Sequence, residues 1–145
     1  MGNRAVIAFE NSPSATGIYL HWNGGPESVL AFCKAAKEIG ARDPSEDPVY
    51  AMAGLCRAVT LFLHSTPAGE LTSMGVGPLD SLDCDNYDNG LYIVGKGWRI
   101  TDRFYERDQG NSHRDVSSLS KDDKKKYYQI VDEIVKRDEA CTDGA

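Results

Sequence analysis

The chain has 145 residues, a length typical of one compact domain. Its 41% hydrophobic and 26% charged residues are ordinary for a globular protein, which excludes a wholly disordered or collagen-like chain. Sixteen lysines and arginines against 22 aspartates and glutamates give a net charge of −6. This charge argues against indiscriminate binding to nucleic acid or to anionic membranes.

The first elements predicted are a β-hairpin and a helix. Residues 4–10 and 17–23 are rich in β-forming side chains, and the NSPSAT segment between them consists of turn formers. Pro26 is suited to the first position of a helix. Apolar residues then recur at helical spacing as far as Gly40, a residue type that commonly ends helices.

A second helix is predicted over 48–65, with Asp47 placed to cap its first turn. Apolar side chains occupy most of its circumference, so we expect it to be the central buried helix, with Phe62 in the core. The following residues 67–80 are rich in glycine and proline, which predicts an irregular crossing loop.

A second hairpin is predicted from strands at 90–94 and 98–105. Alternate residues of the second strand are apolar and should face the core. The residues between them include arginines that should face outward. The predicted core residues are Trp98, Ile100 and Phe104, and the predicted outward residues include Arg99 and Arg103.

Polar residues 106–117 predict a linker, and Ser120 to Asp123 resembles a capping box before a C-terminal helix. The apolar stripe of that helix fits either the core or a partner. We therefore expect an α+β fold, in which one antiparallel sheet of two hairpins packs on two apolar helices and a C-terminal helix is added. The expected organisation is a core domain at 1–112, followed by the linker and amphipathic helix at 113–145.

No cofactor, metal or catalytic site is predicted. The four cysteines at positions 33, 56, 84 and 141 form no C-x-x-C pair, so we expect reduced thiols. The histidines, cysteines and serines match no catalytic motif. The first residues do not resemble a secretory signal and no apolar run suits a membrane helix, so we expect a cytoplasmic protein.

The most distinctive segment is DCDNYDNG at 83–90. Its carboxylates and amides are candidate calcium ligands, but an EF-hand would not place Tyr87 at the fifth position or Val94 at the twelfth. Asparagine and aspartate also form tight turns by binding their own main chain. We favour the turn over the metal site.

Three segments carry a resemblance: GNRAVIAFE, GIYLHWNGGPESV and LDCDNYDNGLYIVGKGWRI. They resemble blocks of a group of small proteins from bacterial phages and mobile elements, over residues 2–105. The resemblance implies an accessory protein, and such proteins often bind and inhibit host defence machinery, including CRISPR effectors. It transfers no functional residue.

Our leading hypothesis is a non-enzymatic inhibitor of the anti-CRISPR type, which binds and blocks a host protein complex such as a nucleic-acid-binding effector. Acidic loop residues would face a basic groove, and Tyr87 would anchor the contact. We expect no direct binding to nucleic acid or membrane. The predicted partner-binding residues are Asp83, Asp85, Asn86, Tyr87, Asp88, Arg99 and Arg103.

Two alternatives remain open at this point. One is a small-molecule or nucleotide-binding protein, with or without hydrolytic activity, built from His21, the Gly24-Gly25 turn and a strip formed by Arg99 and Arg103. The other is a structural protein of a virion.

Overall fold

The computed structural model describes residues 2–64, 73–104 and 115–143. Residues 67–72 of the predicted loop and residues 106–114 of the predicted linker lie outside the described residues. The elements in chain order are β1 (Ala5–Ala8), β2 (Thr16–Leu20), α1 (Pro26–Glu38), α2 (Pro48–Leu63), β3 (Met74–Pro78), β4 (Leu91–Gly95), β5 (Arg99–Phe104) and α3 (Lys121–Asp143). The α+β class and the C-terminal helix are confirmed.

The five strands form one mixed sheet in the order β3-β2-β1-β4-β5. The prediction of a purely antiparallel sheet is wrong, because β1 pairs in parallel with β4 and β3 extends the sheet beyond β2. The strands of the two predicted hairpins, β1 with β2 and β4 with β5, do pair antiparallel. All four residues of β1 are buried. A strand covered on both faces shows no alternation, so its sequence does not reveal which neighbours it pairs with.

Strand β3 lies within the segment that was predicted as an irregular loop. Its residues pair antiparallel with β2, from Met74 opposite Leu20 to Pro78 opposite Thr16. Glycine and proline fill three of its five positions. An edge strand tolerates both residue types, because one side of its backbone has no ladder partner to satisfy.

Helix α1 begins and ends as predicted, with Pro26 in its first turn and Gly40 beyond its end at a φ of +94°. It is also the most completely buried helix, and Phe32 at its centre is fully buried. The prediction that the second helix is central is therefore wrong. Val49 and Tyr50 of α2 are exposed, and Phe62 is half-buried against Phe32.

The predicted cap of α2 is also wrong. Asp47 precedes the helix but makes no capping hydrogen bond with its side chain. Its carboxylate instead accepts a hydrogen bond of 2.6 Å from Nη1 of Arg42.

A β-bulge in β5 changes which residues face the helices. Trp98 and Ile100 are buried as predicted, but one extra residue then enters β5 between two paired positions of β4. A one-residue shift moves every later side chain to the opposite face. Phe104 is therefore 47% exposed, and Arg103 turns inward over the ring of Tyr92.

Helix α3 docks on α1 and α2. Of its two predicted roles, packing on the core and binding a partner, the structure shows the first. Its buried residues Tyr127, Ile130 and Ile134 join the core cluster between the sheet and the helices. The hydroxyl of Ser120 accepts a hydrogen bond from the backbone N–H of Asp123, as the predicted capping box requires. None of the helices in the described residues is long and apolar enough to cross a membrane.

Candidate functional site

Three distant segments meet at one end of the central strands. Parallel strands β1 and β4 begin at this end and antiparallel β2 finishes there, which brings together residues 2–4, 19–25 and 83–90. Asn3 donates its backbone N–H to the carbonyl of His21 at 2.9 Å, and Gly24 donates to the carbonyl of Asn3 at 2.8 Å. We call these three segments the strand-end junction. They include the distinctive parts of all three blocks that carry the resemblance.

Asn86 holds the loop of the junction in shape. Its side chain is 1% exposed and makes five hydrogen bonds to the backbone. Nδ2 donates to the carbonyls of Asp83 and Gly90, at 2.9 and 3.3 Å. Oδ1 accepts from the N–H groups of Asp88, Asn89 and Gly90, at 3.2, 3.2 and 3.0 Å. A side chain used in this way determines the backbone path and is not available to a partner.

An ion pair fastens the loop to the start of β1. One carboxylate oxygen of Asp88 accepts both Nε of Arg4, at 2.8 Å, and the backbone N–H of Arg4, at 3.0 Å. A second carboxylate, that of Asp83, lies 3.8 Å from the same guanidinium. The hydrogen bond to Asp88 is the main cause that raises the pKa of Arg4. Asp88 is therefore a structural partner of Arg4.

Asn89 joins the loop and the segment 2–4 to β5. Its Nδ2 donates to Oδ1 of Asn3 at 2.6 Å and to the carbonyl of Arg4 at 3.1 Å. Arg103 donates to both the carbonyl and Oδ1 of Asn89, each at 3.1 Å, while its guanidinium lies 4.7 Å from the centre of the Tyr92 ring. Arg103 thus braces the junction from the helix side of the sheet.

The two glycines of the HWNGG string serve packing. A Cβ at Gly24 would lie 2.5 Å from the carbonyl oxygen of Asn3, and a Cβ at Gly25 would lie 2.7 Å from both carboxylate oxygens of Glu27. Glu27 is buried and pairs with Nζ of Lys126 at 3.2 Å. The chain's own carboxylate thus lies at the start of α1, where a bound phosphate would need to be. This arrangement disfavours the nucleotide site proposed around the glycine turn.

His21 forms a contact pair with Tyr19 at the surface of the junction. The Tyr19 hydroxyl and Nδ1 of His21 are 3.0 Å apart, and the His21 ring packs edge-on against Trp22. Burial is the main cause that raises the pKa of Tyr19.

The exposed part of the junction is aromatic and acidic. Tyr87 is 57% exposed and has a φ of +62°, a left-handed conformation that is uncommon for a bulky residue. Asp83 and Asp85 are exposed on the same loop. Trp22, just after β2, and Phe104, the last residue of β5, are also exposed at this end of the sheet.

The predicted arginine strip is not assembled. Arg99 lies at the opposite end of β5 from the junction, where it faces a separate cleft with Trp98 and Tyr127. The bulge places Arg103 on the helix side. The predicted set therefore divides into Asp83, Asp85 and Tyr87 at the surface of the junction, Asn86, Asp88 and Arg103 in its framework, and Arg99 elsewhere.

Sequence reasoning missed Asn3, Arg4 and Asn89, which complete the framework. Their strings, GNRA and CDNYDNG, stand in segments that carry the resemblance, although neither string shows that the two meet.

The described residues contain no group of three or more histidine, cysteine, aspartate or glutamate side chains able to hold a metal. All four cysteines are free thiols, and burial raises the pKa of Cys33 to about 12. Comparisons of the chain with protein-family models, with curated proteins and with solved structures found no match.

Proposed function

We propose that the chain is a non-catalytic inhibitor from a phage or mobile element, which binds a host defence complex such as a CRISPR effector and blocks it in the host cytoplasm. The observation that carries this proposal is Tyr87, a large side chain that is 57% exposed while its backbone is held in a left-handed conformation.

The cost of that conformation favours a binding role. A non-glycine residue in a sparsely populated backbone region costs about 1–3 kcal/mol and persists only where the surrounding structure enforces it. The bonds of Asn86 to Asp88 and Asn89, directly after Tyr87, provide that enforcement. Aromatic anchors dominate the binding energy of many interfaces. An anchor already fixed in position loses less conformational entropy when it binds.

The charge of the surface indicates the kind of partner. Asp83 and Asp85 are exposed beside Tyr87, and the whole chain carries a net charge of −6. A groove that binds nucleic acid presents lysine and arginine to phosphates, and an acidic surface complements such a groove in both association rate and specificity. A nucleic-acid-binding effector therefore fits this surface better than an acidic protein does.

The test is binding to a panel of purified CRISPR effectors, together with competition against their target DNA. Tyr87→Ala should weaken binding by about tenfold or more, the loss typical of an interface hot spot. Tyr50→Ala is the matched control, because Tyr50 is 60% exposed but lies on α2. The proposal is wrong if no effector binds, or if the two variants lose the same affinity.

A second variant tests the charge. Asp83→Asn combined with Asp85→Asn should slow association at low salt and change the dissociation rate little, because exposed rim charges act mainly by steering. Asp88 is left unchanged because its carboxylate is hydrogen-bonded to Arg4 at 2.8 Å, whereas the more exposed Asp83 lies 3.8 Å from that guanidinium. An association rate equal to that of the wild type at low salt would exclude these carboxylates from the interface.

A further inference from the structure

Strand β3 (Met74–Pro78) lies at one edge of the sheet and pairs only with β2 among the described strands. Along an antiparallel strand, the N–H and C=O groups of successive residues turn alternately towards one side and the other. Two bonds at the ends of β3 set this alternation. The N–H of His21 bonds to the carbonyl of Ser73 at 3.0 Å, and the N–H of Leu79 bonds to the carbonyl of Ala15 at 2.9 Å.

The outer side of β3 therefore carries unpaired backbone groups. Gly75 and Gly77 bond to β2, whereas the N–H groups of Met74 and Val76 point away from the sheet. Neither of these two N–H groups has a hydrogen-bond partner in the described part of the chain. Pro78 has the same orientation but no N–H, so it contributes only its carbonyl. A second strand would satisfy these groups.

The two edges of the sheet differ in their protection against such pairing. Native proteins protect edge strands with charged side chains, bulges and proline. The other edge strand, β5, carries Arg99, Asp102 and Arg103 and contains the bulge. Strand β3 has the sequence MGVGP, without a charged residue, and its proline stands at the last position. Strand β3 is therefore the less protected edge.

Val76 places an exposed apolar side chain at the centre of this edge. It lies opposite Ile18, which is buried in the core, so Val76 faces the helix side of the sheet. It is nevertheless 55% exposed, whereas Met74 on the same face packs against the core. A strand added along β3 would cover Val76 as well as the unpaired backbone.

We infer that two copies of the chain pair antiparallel through β3, so that their sheets become continuous. Strand β3 is complementary to itself when Val76 lies opposite Val76 of the second copy. Each Val76 N–H then bonds to the Val76 carbonyl of the other copy, and each Met74 N–H bonds to the other copy's Pro78 carbonyl. That carbonyl already accepts the Ser81 hydroxyl at 2.9 Å, and its second lone pair accepts the new bond.

The side chains favour a second copy as the occupant. In this register valine lies against valine and methionine against proline, and apolar cross-strand pairs stabilise a sheet. Identical residues meet at a two-fold axis, so a charged strand would repel its own copy. The uncharged β3 avoids that repulsion, although each chain has a net charge of −6. The interface includes no residue of the surface around Tyr87, so it is independent of the proposed function.

The test is sedimentation equilibrium of the full chain over a concentration series. An interface this short predicts a reversible dimer with a Kd of about 1–100 µM. Val76→Lys should raise this Kd by about tenfold or more, because like charges would face each other across the axis. Phe104→Lys makes the same change in charge on the other edge strand and should leave the Kd unchanged. A wild type that stays monomeric through this range, or equal effects of the two variants, would overturn the inference.

Hydrogen exchange locates the interface without any substitution. The Met74 amide should exchange several-fold more slowly at a concentration where the wild type is dimeric than where it is monomeric, because its bond exists only in the dimer. The amides of Gly75 and Gly77 bond to β2 and should stay protected at both concentrations. Equal exchange of the Met74 amide at both concentrations would show that any dimer forms through another surface.

Discussion

Truncation of Asn86 should destabilise the protein more than any other change in the acidic loop. Asn86→Ala removes five hydrogen bonds, of which the three to Asn89 and Gly90 are buried. The net contribution of a hydrogen bond is about 1 kcal/mol, and a buried group left unpaired costs at least that much. The two remaining bonds, to Asp83 and Asp88, are only partly buried, so water replaces them at little cost. The expected loss is therefore about 3 kcal/mol, carried by three buried bonds.

The measurement is urea unfolding at pH 7, followed by the fluorescence of the two tryptophans and by circular dichroism. The free energy of unfolding should fall by about 3 kcal/mol with an unchanged dependence on urea, which marks a loss of stability without a change of folded state. Asp85→Ala is the control, because Asp85 is the exposed neighbour of Asn86, and surface substitutions usually change stability by less than about 0.5 kcal/mol.

The free energies of unfolding of Asn86→Ala and Asp85→Ala together test whether the Asn86 side chain stabilises the loop. A loss of less than about 1 kcal/mol for Asn86→Ala would mean that water satisfies the loop backbone as well as the amide does. Asn86 would then not fix the conformation of Tyr87, and the preorganised anchor of the proposed interface would lose its support.

Three further outcomes follow from single contacts. Tyr92→Phe should cost about 1–2 kcal/mol in urea unfolding, because the hydroxyl donates a buried bond of 3.0 Å to the carbonyl of Gly24; no measurable loss would contradict that bond. The hydrogen bond from Ser45 is the main cause that lowers the pKa of Asp43, so this carboxylate stabilises the fold above about pH 4 and the stabilisation is lost as the pH falls through the lowered value. The difference in melting temperature between pH 6 and pH 2.5 should accordingly be smaller in Asp43→Asn than in the wild type, and an equal difference would refute the linkage. Burial should protect Cys33 from a thiol reagent at pH 8 until urea unfolds the chain, and reaction of this thiol in the native protein would contradict its buried position.

The sequence by itself determined the features that depend only on residues close together in the chain. The extent of α1 follows from Pro26 and Gly40, since the fixed φ of proline suits a helix start and a left-handed glycine suits its end. The hydroxyl cap of Ser120 and the apolar stripe of α3 were likewise evident in the sequence. Each of these features depends on residues within a few turns of one another, so no knowledge of the tertiary structure was needed.

The tertiary structure alone decided how the sheet is assembled. The buried run of β1 has the same composition whether its neighbours are parallel or antiparallel, and β3 has the glycines and proline of a loop. The bulge that turns Arg103 inward and Phe104 outward depends on the register between β4 and β5, which a strand does not encode by itself.

In the strand-end junction, too, the local turn could be predicted from the sequence, whereas the long-range contacts could not. The sequence marked the loop at 83–90 as a turn, and the side-chain bonds of Asn86 to nearby backbone follow from that local chemistry. It did not show that Asn3 would meet Asn89, 86 positions away, or that Arg4 would pair with Asp88. Those contacts exist because β1 and β4 are parallel neighbours whose first residues share an edge, and long-range pairing of this kind is set by the burial of whole strands rather than by the residues that it brings together.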